Sequence, residues 1–280
     1  MKKNVDYLLS KKQAHQKIIA LTCYDYPTAI LEDKAGVDVI FVGDSVGTNI
    51  LGYENETQVT MDDIVHHLKA VNRGVKDSFI LADLPYNSYQ TPEQALGNAK
   101  RLVANGADCV KLEGLRPEIV TQLVKHNIPT CGHLGLQPQH HSVKAVHGKK
   151  FEQAKEIIQA ALNLEKSGIF MLVLELVPEE LAQIVTNELK IPTIGIGSGR
   201  YNDGQVLIVN DILGVTPRKF RLAKKYEDFQ TLTLKTIEKY AQDVAGNIFP
   251  TEENLRHMPD EELKALQQWL QKNYISFGMD

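Results

Sequence analysis

Four apolar, β-branched-rich runs in this chain each finish on an acid: V-D-V-I-F-V-G-Asp44, F-I-L-A-Asp83, C-V-K-L-Glu113 and F-M-L-V-L-Glu175. A carboxylate at the end of a buried strand costs free energy unless a metal ion, a cation or a substrate compensates its lost hydration. Acids gathered without a cation raise one another's pKa, so Asp44, Asp83 and Glu113 call for one between them. An oxygen-only set of two Asp and one Glu suits Mg²⁺, which takes one or two direct carboxylate bonds and fills its octahedron with water. Zinc prefers His and Cys, which these strand ends supply poorly. A metal with open positions can chelate a 2-oxo acid and stabilise the enolate formed when a base removes the neighbouring C–H proton. Lys111, flanked by Val110 and Leu112, needs a carboxylate or an anionic ligand to stay charged, and points the same way from its strand as Glu113. It would place positive charge near the enolate, with Glu175 across the site as base. Ser45, beside Asp44, and His133, after a further apolar run, complete the candidate set.

Each residue also has a plainer reading. A strand-end Asp often caps the next helix. Asp44-Ser45 could cap a turn, Lys111 could simply pair with Glu113, and His133 could be a hydrogen-bonded core histidine. Coincidence at four strand ends favours one shared site over four independent accidents.

Strand ends converge in a barrel. Strand-like runs at 17–23, 37–42, 79–83, 108–112, 129–133, 170–175, 192–197 and 206–209 alternate with amphipathic stretches at 61–74, 92–105, 116–126, 151–167 and 178–189. Thr91-Pro92-Glu93 reads as a capped helix start, Pro178-Glu179-Glu180 as another, and Gly36, Gly106 and Gly168 as helix ends leading into strands. Repeated βα units predict a parallel sheet, and eight of them suit a (β/α)8 TIM barrel better than an open doubly wound sheet. The expected organisation is a single catalytic barrel over 1–250 and a helical tail over 251–280. The tail carries Leu263, Leu266 and Leu270 on one face, for docking on the barrel or on a neighbouring subunit. The long polar loop at 134–149, with His140, His141 and His147, reads as a lid or binding loop. Gly195-Ile196-Gly197-Ser198-Gly199 lacks dinucleotide-site spacing and reads as a barrel-top turn.

The 280-residue chain is 43% hydrophobic and 24% charged, ordinary for a soluble globular protein. A net charge of −4 gives no reason to expect nucleic acid or an anionic membrane as partner, and no apolar run approaches a membrane span. The basic start holds Asp6 and no long apolar core, which argues against a signal peptide. Cys23, Cys109 and Cys131 lack disulfide-scaffold or zinc spacing and read as inert buried thiols. A cytoplasmic location is expected.

Beyond the acids, F-V-G-D-S-V-G (Phe41 to Gly47), A-D-L-P-Y (Ala82 to Tyr86), V-K-L-E-G (Val110 to Gly114), C-G-H-L-G-L-Q-P-Q (Cys131 to Gln139), L-V-L-E-L-V-P (Leu172 to Pro178) and D-G-Q-V-L (Asp203 to Leu207) follow in order. In these motifs the chain resembles the ketopantoate (3-methyl-2-oxobutanoate) hydroxymethyltransferase family, from Thr22 to about Pro250. The resemblance implies a barrel of the phosphoenolpyruvate/pyruvate type, one Mg²⁺ per subunit and 5,10-methylenetetrahydrofolate as one-carbon donor to 3-methyl-2-oxobutanoate, within pantothenate synthesis. It places Asp44, Asp83 and Glu113 at metal positions, Asp44, Ser45, Asp83 and Lys111 at oxo-acid contacts, and Glu175 as proton acceptor. It also implies a homo-oligomer, often a decamer. The chain departs from the family in the stretch after Pro138, reading Q-H-H-S-V-K-A-V-H-G-K, and at E-T-Q-V-T (Glu56 to Thr60). The competing readings are another Mg²⁺-dependent 2-oxo-acid enzyme of the isocitrate lyase or phosphoenolpyruvate mutase type, echoed in C-G-H (Cys131 to His133), and a non-catalytic barrel.

Overall fold

Eight parallel strands close in sequence order into one barrel, each hydrogen-bonded to the next and β8 to β1. The strands are β1 (Ile18–Thr22), β2 (Val39–Val42), β3 (Phe79–Asp83), β4 (Cys109–Lys111), β5 (Thr130–Gly135), β6 (Met171–Glu175), β7 (Thr193–Ile196) and β8 (Gly204–Leu207). The computed structural model describes residues 2–140, 145–216 and 222–274, so His141 of the polar loop lies outside the described residues.

Helix α1 (Val5–Gln13) precedes the barrel, and α2 (Tyr26–Lys34), α3 (Met61–Gly74), α4 (Pro92–Val103), α5 (Pro117–Lys125), α6 (Phe151–Ser167) and α7 (Glu179–Glu188) each follow a strand. The expected caps are present. Thr91 accepts a hydrogen bond from the Gln94 N–H, and Gly168 ends α6 at φ +106°. One unit departs from the repeat, because β7 reaches β8 through a turn with no helix. Beyond β8 come α8 (Val209–Leu213), α9 (Phe229–Ala245) and α10 (Asp260–Tyr274). The chain forms two compact units, Met1–Asp228 and Phe229–Asp280, so the break falls ahead of the residue 250 boundary read from sequence. None of the residues of α9 is buried.

Strand periodicity sorts the core into two clusters. Ile40, Val42, Ile80, Ala82, Leu172 and Leu174 face outward and pack under the helices. Phe41, Phe79, Leu81, Cys109, Cys131 and Val173 face inward and fill the lumen. On β3, β4 and β6 the inward series end on chemistry: Phe79, Leu81, Asp83; Cys109, Lys111, Glu113; and Met171, Val173, Glu175. At the opposite end α1 closes the barrel with Leu8, fully buried in the lumen cluster. Asp38 anchors that plug by accepting hydrogen bonds from Tyr7 Oη at 2.7 Å, Lys11 Nζ at 2.5 Å and the Ile19 N–H at 2.9 Å.

Candidate active site

Parallel register sets the first contact. Asp83 of β3 pairs with Lys111 of β4, and both side chains point into the barrel mouth. Lys111 Nζ lies 2.6 Å from Asp83 Oδ1, an ion pair with both side chains almost wholly buried. The other Asp83 oxygen, Oδ2, accepts the Asp44 backbone N–H at 2.9 Å, which fixes the turn after β2. Lys111 also lies over the Phe41 ring, 5.3 Å from its centroid.

Asp44, Ser45, Asp83, Lys111, Glu113, His133 and Glu175 all line one cavity of about 80 Å³. Phe41, Val173, Ile196 and Val206 supply its apolar wall. Larger hollows exist, one of about 280 Å³ beside Gln137 and His147 and one of about 630 Å³ along α6 and α7. Neither gathers carboxylates around a buried lysine.

The electrostatics of the cavity are unbalanced. Asp44, Asp83 and Glu113 are all buried and, ionised together, would bring three negative charges against the single positive charge of Lys111. Burial, reinforced by Asp83, pushes the Asp44 carboxyl up to about 8, with Lys111 and Gln139 opposing the shift. Burial likewise raises Glu113 well above the usual carboxylate range, although Lys111 draws it down. Burial alone would lower Lys111, but Asp83, Asp44 and Glu113 outweigh it and hold the ammonium charged. With all three acids ionised the cluster would carry about −2, which a divalent cation would neutralise, and an all-oxygen donor set suits Mg²⁺. Among the described residues no three His, Cys, Asp or Glu side chains are already arranged to hold an ion. Charge and donor type fit the metal, and water and substrate would have to supply the rest of its coordination.

His133 is buried between the two halves of the cavity. Its Nδ1 is 3.4 Å from Lys111 Nζ and 3.5 Å from Glu113 Oε1, and its Nε2 is 3.4 Å from Glu175 Oε2. Burial and then Lys111 lower its pKa, against an opposing pull from Glu175, so the ring is neutral. An ammonium can only donate, which makes Nδ1 the acceptor and leaves the proton on Nε2, an atom without a hydrogen-bond partner although Glu175 lies 3.4 Å away. Glu175 stays outside the tight carboxylate set, its side chain 14% exposed where those of Asp83 and Glu113 are 1%. The next residue, Leu176, takes a left-handed φ of +47°, uncommon for a residue with a side chain. Leu176 is held there by its N–H bond to the Ile196 carbonyl at 3.0 Å and by the His147 N–H on its own carbonyl at 2.8 Å.

Several cavity or near-cavity residues escape a reading based on strand ends. Tyr24, buried after β1, shares a 2.7 Å hydrogen bond between its hydroxyl and Ser45 Oγ. Glu56 lines the cavity from the segment where the chain departs from its family pattern. Gln139 enters from the turn after β5 and bonds both Asp44 and Glu113. Gln139 stands in a quoted motif, but nothing in the residue type of Gln139 or Tyr24 marks either as a site residue. Of the loop histidines, His140 stacks edge-on against Tyr86, and His147 lines the separate 280 Å³ hollow.

Comparison with known proteins bears on the family and the fold. Proteins named 3-methyl-2-oxobutanoate hydroxymethyltransferase from Nitrosopumilus maritimus and Thermoanaerobacter sp. are 43% and 47% identical to this chain, over 96% and 87% of it and 99% and 92% of their own lengths. Among solved structures, a phosphonopyruvate hydrolase complex with oxalate and Mg²⁺ matches with a TM-score of 0.62 at 9% identity, covering 99% of this chain and 100% of that one. A 2,3-dimethylmalate lyase of the PEP mutase/isocitrate lyase superfamily matches at 0.59 and 12% identity, covering 96% and 100%. At such identities these two establish a shared barrel fold and nothing more. A sequence model of ketopantoate hydroxymethyltransferase matches residues 2–252, and with relatives this similar over nearly their whole lengths the chain belongs to that family.

Proposed function

We propose that this protein transfers a hydroxymethyl group from 5,10-methylenetetrahydrofolate to 3-methyl-2-oxobutanoate, giving 2-dehydropantoate for pantothenate and coenzyme A synthesis. The observation that carries the reading is a single cavity lined by Asp44, Asp83, Lys111, Glu113 and Glu175. Asp44, Asp83 and Glu113 would hold one Mg²⁺. When bound, the ion supplies Lewis-acid polarisation of the keto and carboxylate oxygens of the oxo acid.

The residues of the chain supply the remaining work. Ser45, oriented by Tyr24, and Lys111 bind the oxo-acid carboxylate. Phe41, Val173, Ile196 and Val206 offer an apolar wall to its branched alkyl group and exclude water from the reacting carbon. Glu175 removes the proton from C3, with the neutral His133 buried beside its carboxylate. The resulting enolate carbon forms its new bond to the methylene carbon, whose bonds to the two folate nitrogens both break. Water supplies the hydroxyl on that carbon, and the C3 proton and the remaining water proton go to the two nitrogens, leaving tetrahydrofolate.

No helix among the described residues is long and apolar enough to cross a membrane. The same reading places the enzyme in the cytoplasm as a homo-oligomer, decameric by family resemblance, and gives the apolar side of the tail helix a docking role. Its small-molecule partners are the oxo acid and the folate. The test is 2-dehydropantoate formation from both substrates, abolished by EDTA and restored by Mg²⁺. Undiminished turnover in EDTA refutes the metal site, and no product with any divalent ion refutes the reaction.

A further inference from the structure

Gln139 is 2% exposed, a neutral side chain set among acids. Its Nε2 donates to Asp44 Oδ2 at 2.7 Å and to the Leu84 carbonyl at 3.2 Å, which uses both amide hydrogens. Its Oε1 accepts from the Tyr89 hydroxyl, and its backbone N–H donates to Glu113 Oε2 at 3.1 Å. The partners sit after β2, β3 and β4, while Gln139 itself sits in the turn after β5, so one residue ties four consecutive barrel loops together. Because every polar atom of the amide is engaged, its orientation is fixed.

An amide suits this position for a reason of charge. A lysine or arginine would neutralise the carboxylates and displace a cation, and an acid would add to an already uncompensated cluster. Gln139 orders two acids and leaves their net charge unchanged.

We infer that Gln139, itself held by Tyr89, is a positioning residue for the divalent-ion site: it occupies one oxygen of Asp44 and one of Glu113 and leaves Asp44 Oδ1 and Glu113 Oε1 for the ion. This rests on the metal-dependent reading above. The rotation of both carboxylates is restricted by the fold before an ion arrives, so less ordering is lost on binding. Outer partners of metal ligands act in this way, and their loss typically weakens metal affinity by about 10- to 100-fold.

The experiment compares the unmodified enzyme with Gln139→Met, close in shape but without the amide, and with Tyr89→Phe. Mg²⁺ affinity is measured by calorimetry and Mn²⁺ affinity by the loss of its free-ion resonance signal, with thermal melting in EDTA alongside. The inference requires Gln139→Met to weaken both ions by about 10-fold or more, and Tyr89→Phe to weaken them less but in the same direction. Lower melting temperatures with unchanged ion affinity would make the residue merely structural and overturn it. Tighter binding would also overturn it, by showing that the amide competes with the ion for Asp44. If Gln139→Met does not fold, Tyr89→Phe decides alone, since it loses only one hydroxyl. Failure of the unmodified enzyme to bind either ion would instead remove the metal site, and this role with it.

Discussion

Glu175→Gln separates the base from everything else in the cavity. The substitution keeps shape and volume, and the new side chain still fills the place beside His133 Nε2, which in the native protein lies 3.4 Å from Glu175 Oε2. None of the contacts among Asp44, Asp83, Lys111, Glu113 and Gln139 passes through Glu175, so ion and oxo-acid binding should survive. What is lost is proton abstraction, a contribution of about 10²- to 10⁴-fold for a positioned general base. At about 1.36 kcal/mol per tenfold, the barrier to C3 deprotonation rises by roughly 3–5 kcal/mol. The assay follows deuterium entering C3 of 3-methyl-2-oxobutanoate in D₂O by proton NMR, with Mg²⁺ present and folate absent, so that only enolisation is read. Exchange should fall by two to four orders of magnitude while calorimetry shows the oxo acid and ion still bound. Exchange within a few-fold of the native rate would remove Glu175 from the mechanism and require another base. Loss of oxo-acid binding would show that the residue also shapes the ground-state complex.

Asp83→Ala breaks a buried ion pair with Lys111 and leaves the ammonium uncompensated on that side, at a cost of about 3–5 kcal/mol of folding free energy. The apparent affinities for Mg²⁺ and for the oxo acid should fall together in steady-state titrations, and unchanged Mg²⁺ dependence would refute the assignment. Gly135→Ala should cost about 2 kcal/mol or more in urea unfolding. Gly135 sits at φ +95°, and an added Cβ would fall 2.1 Å from the Glu175 carbonyl oxygen. The same clash pushes on the end of β6, so C3 exchange should drop with stability, and a variant of native stability and rate would show that the turn can relax. At the other end of the barrel, burial works to raise the Asp38 pKa, but the Ile19 N–H, Lys11 and Tyr7 together hold it below the usual carboxylate range. A carboxylate lowered on folding contributes stability that is full above its unfolded pKa of about 3.9 and lost as pH falls through its folded value. Asp38→Asn should therefore be less stable at neutral pH and lose less on acidification below about pH 4, and parallel acid unfolding curves for the two proteins would refute the linkage.

The eight strands were legible because a buried parallel strand is a short apolar run bounded by turn residues, and this chain writes each one that way. The tail boundary was not, since a helical apolar stripe has the same spacing whether or not anything covers it. The site was legible in its charged members because inward positions recur every second residue. Phe79 and Leu81 lead to Asp83, Cys109 leads to Lys111 and Glu113, and Met171 and Val173 lead to Glu175, so a charge after an inward series must stand in the barrel mouth. Asp44 breaks that rule, because β2 ends at Val42 and its position depends on a turn whose backbone is fixed by Asp83, 39 residues later. Gln139 lies further from reach, since its amide meets Asp44 across 95 residues of chain and nothing about a glutamine in a polar loop announces a buried donor. Formal charges show where a barrel site must be, because burying them without partners is costly. The neutral donors that aim those charges carry no such penalty pattern in sequence, and only the closed barrel reveals which loop supplies them.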